Sequence, residues 1–139
     1  MFKEILVPIG KSVQTHSALD VAVSMAAKSY GSVILLHVIE MIKDTAYEDF
    51  QAFYEQLAAK ARREMEQLAE PHRDGGVLLE QKILYGRRVQ EILRFSEERA
   101  IDLIVMQSHR VDPADPTRGW NTISYKVGIL SRCPVMLVK

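Results

Sequence analysis

The chain has 139 residues, 18 Lys and Arg balanced by 18 Asp and Glu, and 47% apolar content. That length suits one domain with a real hydrophobic core, and the neutral charge excludes a field that would favour nonspecific nucleic-acid binding. A single cysteine, Cys133, excludes an internal disulfide framework and a cysteine-based metal cluster. No apolar run approaches transmembrane length, and the first residues enter a strand-like run with neither basic leader nor signal-peptide core. A cytoplasmic protein without membrane insertion is expected.

Ile5 to Ile9 reads as a buried strand, with Pro8 near its end where a missing ladder donor is tolerated. Thr15 to Tyr30 reads as a helix, because Ala18, Leu19, Ala22, Val23, Met25 and Ala26 recur at helical spacing. Thr15 or Ser17 is placed to cap its start and Gly31 to end it. Ser32 to Val38 is a second strand. A long helix from about Thr45 to His72 carries Phe50, Phe53, Tyr54, Leu57, Ala58, Ala61, Met65 and Leu68 on one side, and Pro71 with Asp74-Gly75-Gly76 stops it. The aromatic stripe Tyr47, Phe50, Phe53 and Tyr54 is expected to be the buried face of that helix.

Val77 to Leu84 is the third strand, and Gly86 turns into a helix from about Arg88 to Arg99 with Val89, Ile92, Leu93 and Phe95 inward. Asp102 to Met106 is the fourth strand. The following loop, Val111 to Arg118, holds the turn formers Asp112-Pro113 and Asp115-Pro116. Asn121 to Ser131 is a fourth helix, with Asn121 as its ordinary N-cap, and Pro134 to Val138 the last strand. Strands alternating with helices imply an α/β fold: a parallel sheet covered on both faces, with right-handed crossovers. Nothing in the chain marks a linker, repeat or low-complexity tract, so residues 1–139 are expected to form one domain.

These residues carry a resemblance. Ile5-Leu6-Val7-Pro8-Ile9, then Leu36-His37-Val38, then Gly86 with Ile92, then Ile101-Asp102-Leu103-Ile104-Val105-Met106 with Ser108-His109, and finally Cys133-Pro134-Val135-Met136-Leu137-Val138 resemble, in order and spacing, the universal stress proteins of the UspA family. The resemblance implies an open five-stranded parallel sheet of order 3-2-1-4-5, with helices on both faces, of the adenine nucleotide alpha hydrolase-like kind. It also implies a stress-response role and a homodimer joined through the last strand.

Family members that bind ATP carry an aspartate just after the first strand, in a Val-Asp-Gly-Ser-like run. They also carry Gly, two residues, Gly, nine residues, Gly and then Ser or Thr after the fourth strand. Here the first run is Ile9-Gly10-Lys11-Ser12, so Gly10 stands at the aspartate and Lys11 at the glycine. Gln107 replaces the first loop glycine, Arg110 the second, and Asn121, one residue late, the third, with Thr122 in the hydroxyl position. Glycines in a phosphate loop allow close backbone approach and positive φ. Four departures together argue against the family's usual ATP mode.

What remains has the chemistry of an anion site. Lys11, Arg110 and Arg118 come from loops at the carboxyl end of the expected sheet, at the switch point between strands one and four. Asn121 and Thr122 offer a helix N-terminus to a phosphate or carboxylate. Ser108 and His109 would line the wall, and Pro8, Ile9, Gly10, Ser12, Val38 and Gln107 complete the candidate nucleotide or anion site. No cofactor is required on this account, though ATP or another adenine nucleotide is admitted.

Other chemistry is poorly supported. His16, His37, His72 and His109 lack metal-ligand spacing, and His37 is expected to be a hydrogen-bonded core or crevice-edge residue. No serine sits in a nucleophile elbow. Gly10-Lys11-Ser12 ends like a phosphate loop, but Ile5 stands where its first glycine belongs. Cys133, at a strand entrance before Pro134, is expected to be packed rather than reactive.

The last strand, Pro134, Val135, Met136, Leu137 and Val138, is an apolar edge with one terminal charge, and antiparallel pairing of two copies would bury both edges. Three functions follow in order of support. The first is a dimeric regulatory domain that contacts an unknown protein partner, with little or no ATP affinity. The second is a sensor of ATP, AMP or a cyclic dinucleotide with an altered loop, and the third is a slow nucleotide hydrolase.

Overall fold

The computed structural model describes residues 1–10, 17–108, 113–115 and 122–139. The strands are β1 (Glu4–Ile9), β2 (Ser32–Glu40), β3 (Leu78–Gly86), β4 (Leu103–Gln107) and β5 (Val135–Val138). Between them lie helices α1 (Ser17–Ser29), α2 (Gln51–Ala69), α3 (Arg88–Glu98) and α4 (Ile123–Leu130). All strand pairs are parallel, and the sheet order is β3-β2-β1-β4-β5. The expected order is therefore the observed one.

Period two sorts the strand residues onto two cores. Ile5, Val7, Val33, Leu35, Leu103 and Val105 pack with α1 and Met65 of α2. Their neighbours Leu6, Ile34, Leu36, Ile104 and Met106 pack on the opposite face with Ile92 and Phe95 of α3 and Val127 of α4. Because both faces of these central strands are covered, their apolar runs are continuous rather than alternating.

Polar contacts at the amino ends tie neighbouring interior strands together. The Asp102 carboxylate accepts from the backbone N–H groups of Lys3 (2.8 Å) and Glu4 (3.1 Å), tying the start of β4 to β1. Gly31 lies so close to Lys3 that a Cβ there would meet the Lys3 backbone at 2.8 Å, which explains the glycine between α1 and β2.

The expected long helix is shorter than Thr45–His72. Single 3₁₀ turns at Tyr47–Phe50 and Glu70–His72 flank α2, with Pro71 inside the second. The aromatic stripe is corrected with it. The buried stripe of α2 is Tyr54, Ala58, Ala61, Met65 and Ala69. Phe50, in a 3₁₀ turn out of phase with that stripe, is 40% exposed, and Phe53, one position off it, is 49% exposed.

Tyr54 is fully buried, stacks on Tyr47 (5.5 Å between ring centroids) and meets Tyr85 edge-on. Its hydroxyl accepts from the Ile42 N–H at 2.8 Å. Tyr54→Phe is expected to leave that N–H unpaired and cost about 1 kcal/mol, and Tyr54→Ala about 3–5 kcal/mol. Urea unfolding of the two variants, with the slope unchanged in the first, checks both values.

Candidate functional site

The two central strands part at their carboxyl ends. β1 is registered with β4 at Ile5↔Leu103 and Leu6↔Ile104, while β1 runs on to Ile9 and β4 to Gln107. The strand order reverses at this pair, so a crevice opens beyond it. It holds a cavity of about 360 Å³. Leu36, Val38, Ile92 and Met106 of the α3/α4 core form its apolar wall.

Six of the residues expected at the site line this cavity: Pro8, Ile9, Gly10, Val38, Gln107 and Thr122. Ser108 stands beside it, with its Oγ 3.2 Å from the Oγ of Ser124, a lining residue. Lys11, Ser12, His109, Arg110, Arg118 and Asn121 lie outside the described residues. His37, expected to be a hydrogen-bonded core or crevice-edge residue, is half-buried with its Nδ1 3.3 Å from the Ile9 carbonyl. Cys133 is half-buried beside Ser131, consistent with a packed thiol.

Three positions have a physical account that the sequence did not supply. At Gly10 a Cβ would meet nothing within 4 Å, so an aspartate would fit, and what is missing there is carboxylate chemistry rather than space. Gln107 is a brace. Its Oε1 accepts from the Ala18 N–H (3.0 Å) and its Nε2 donates to the Val138 carbonyl (3.2 Å). It thereby satisfies an orphan donor of the first turn of α1, a capping task expected of Thr15 or Ser17, and ties α1 to β5.

At α4 the N-cap is Thr122, one residue later than the Asn121 expected: its backbone is extended and its Oγ1 accepts from the Tyr125 N–H at 3.2 Å. Thr122 Oγ1 is also 3.4 Å from Ser124 Oγ, so the hydroxyls of Ser108, Ser124 and Thr122 form a chain along this end of the crevice.

Arg88 was missed altogether. It is the first residue of α3, delivered to the crevice by the turn at Gly86, whose φ is +146°. Among the described residues it is the one Lys or Arg that is not exposed. Its Nε is buried without a hydrogen-bond partner, at a cost of about 1–3 kcal/mol. A signal for it exists in the sequence: Arg87 and Arg88 open a helix, where the backbone dipole favours acidic residues.

Arg88 and Val38 also line a second cavity, of about 440 Å³, between the end of β2 and α2. Its polar residues include His37, Glu40, Lys60 and Glu64. Among the described residues no group of three or more His, Cys, Asp or Glu is placed to hold a metal ion, and no helix is long and apolar enough to cross a membrane.

A family model described as the universal stress protein family matches residues 1–139. The universal stress protein YxiE of Bacillus subtilis is 27% identical over a 150-residue alignment that spans all of both chains. Among solved structures, UspA of Lactobacillus plantarum superposes with a TM-score of 0.77 at 20% identity, covering 99% of this chain and 98% of that one. A universal stress protein from Archaeoglobus fulgidus, solved in complex with dAMP, superposes with a TM-score of 0.72 at 20% identity and full coverage of both chains.

The brace at position 107 is directly testable. Gln107→Gly removes both hydrogen bonds and adds backbone freedom, and is expected to cost about 1–3 kcal/mol. Gln107→Glu keeps an acceptor for Ala18 but places a carboxylate against the Val138 carbonyl, and is expected to destabilise as well. Equilibrium unfolding at neutral pH, with backbone amide exchange followed at Ala18, measures the two effects.

Proposed function

Because the chain belongs to the universal stress protein family, we propose that it is a stress-response regulatory domain that works by contact rather than turnover, in the cytoplasm, as a homodimer, and that it does not hold ATP in the glycine-loop manner. The observation that carries this reading is the Gln107 brace: a hydrogen-bonded side chain stands where a phosphate loop needs a bare backbone. The absent carboxylate at Gly10 acts in the same direction, since glycine offers no side-chain acceptor.

Dimerisation is supported by β5. It pairs with β4 on one side and forms the sheet edge on the other. Its Met136 and Val138 pack inward against the α1 face, and Leu137 is 38% exposed. Two antiparallel copies of this edge would satisfy each other's outer backbone groups and cover Leu137.

A second reading, a nucleotide sensor with an altered pocket, is favoured by one observation: the crevice persists with an apolar wall and an unpartnered arginine. The dAMP complex of the archaeal relative shows that the same fold in that protein accommodates a nucleotide with one phosphate.

Thermal unfolding with ATP, with and without magnesium, tests the first reading. A ligand at a hundred times its Kd would stabilise the fold by about 2.7 kcal/mol. The expected result is a flat response to ATP and no phosphate release above a heat-killed control. ATP-dependent stabilisation growing with concentration would overturn it. Analytical ultracentrifugation is expected to show a dimer at micromolar concentration, and Leu137→Lys a folded monomer.

A further inference from the structure

We propose that Arg88 holds the anionic group of a small ligand in the crevice, so that the charged end of the ligand faces α3. This inference rests on the sensor reading above. The ligand it fits is a flat ring bearing one oxyanion, such as a nucleoside monophosphate in open or cyclic form.

Four observations lead there. Among the described residues, Arg88 is the one charged residue lining the first cavity. Its Nε is buried and unpaired, and no other described residue offers its guanidinium an ion-pair or hydrogen-bond partner. Two carboxylates on the surrounding elements are turned to other work: Glu91 of α3 pairs with Arg94, and Glu64, which lines the second cavity, with Lys60 at 3.9 Å. Glu40 and Glu64 line the second cavity and not the first, so an anion is favoured on the first-cavity side.

Among the described residues, the side chains at the opposite end of the crevice are uncharged and already engaged. Thr122 caps α4, Ser108 and Ser124 face each other, and Gln107 bridges α1 and β5. A guanidinium presents a fork of N–H donors that an oxyanion satisfies with two bonds. The wall of Leu36, Val38, Ile92 and Met106 suits an aromatic ring. A cavity of about 360 Å³ lies at the small end of ligand pockets, which favours one phosphate over three.

The experiment is calorimetric titration of the full chain and of Arg88→Gln and Arg88→Lys with adenosine monophosphate, cyclic adenosine monophosphate, adenosine and inorganic phosphate. Expected are binding of at least one of the two nucleotides to the native chain, a loss of about 10- to 100-fold in Arg88→Gln, and partial recovery in Arg88→Lys. Adenosine should bind weakly and equally to all three proteins. Inorganic phosphate separates the two parts of the ligand, and is expected to bind too weakly to measure without the ring.

Two further measurements guard against a folding artefact. Arg88→Met, which removes the unpaired donor, is expected to match or exceed the native Tm without ligand. The Arg88 Nε–H resonance is expected to shift when nucleotide is added to the native chain. Equal nucleotide affinity in the native protein and Arg88→Gln would overturn the role of Arg88 while leaving the sensor reading intact. Absence of binding by every probe would overturn both.

Discussion

A parallel strand that feeds neighbours on two sides cannot keep both ladders to its full length when the crossovers leave in opposite directions. β1 pairs with β2 over all six of its residues, Glu4 to Ile9, and is registered with β4 at Ile5 and Leu6. The carboxyl ends of β1 and β4 are thereby left apart, and a gap lined by the last residues of both strands is the geometric consequence. The described site residues belong to this gap or to its rim: Pro8, Ile9 and Gly10 leave β1, Met106 and Gln107 end β4, and Arg88 arrives from the end of β3.

What fills such a gap decides between access and stability. A glycine after β4 would leave the backbone bare for a phosphate and leave an amide of α1 and a carbonyl of β5 to find other partners. Gln107 takes the other course. Its amide joins the start of α1 to the end of β5, two elements 89 and 31 residues away. The side chain is surface-accessible, so its contribution is that of ordinary hydrogen bonds rather than of burial. The side chain that stands over the backbone after β4 also holds the edge strand, so cover of that backbone and a firm sheet edge come from one residue.

The fold was legible because its signals are collective. Continuous β-branched runs such as Ile34 to Val38 and Leu103 to Met106, separated by amphipathic helices, admit few arrangements. Where the sequence misled, a local geometry intervened. Phe50 looks inward on an ideal helix but lies in a 3₁₀ turn out of phase with α2, and Phe53 sits one position off the buried stripe. Thr122 caps α4 although Asn is by type the better cap, because the position of the helix start and not residue type decides. Half of the site was legible, from the loops after strands one and four. Arg88 was not, because attention to those loops leaves out a residue on a third element, and no periodicity separates a cavity-facing arginine at a helix start from a solvated one.

Arg88 is also where the local rules conflict most sharply. A cation at the first turn of a helix opposes the backbone dipole, and a buried donor without an acceptor forfeits hydration. A surface position would relieve both costs, as it does for Arg87, which is exposed one residue earlier. Packing does not explain the choice either, since an apolar side chain would join Leu36, Val38 and Ile92 without penalty. Residues that break local preferences without compensation inside the fold are found where function supplies the compensation. The compensation has to be an acceptor, because every polar atom of a guanidinium donates. No described carboxylate supplies it: Glu91 pairs with Arg94 and Glu64 with Lys60, and Glu40, which lines the second cavity with Arg88, makes no ion pair with it. The unsatisfied donor therefore calls for an acceptor beside α3 in whatever enters the crevice.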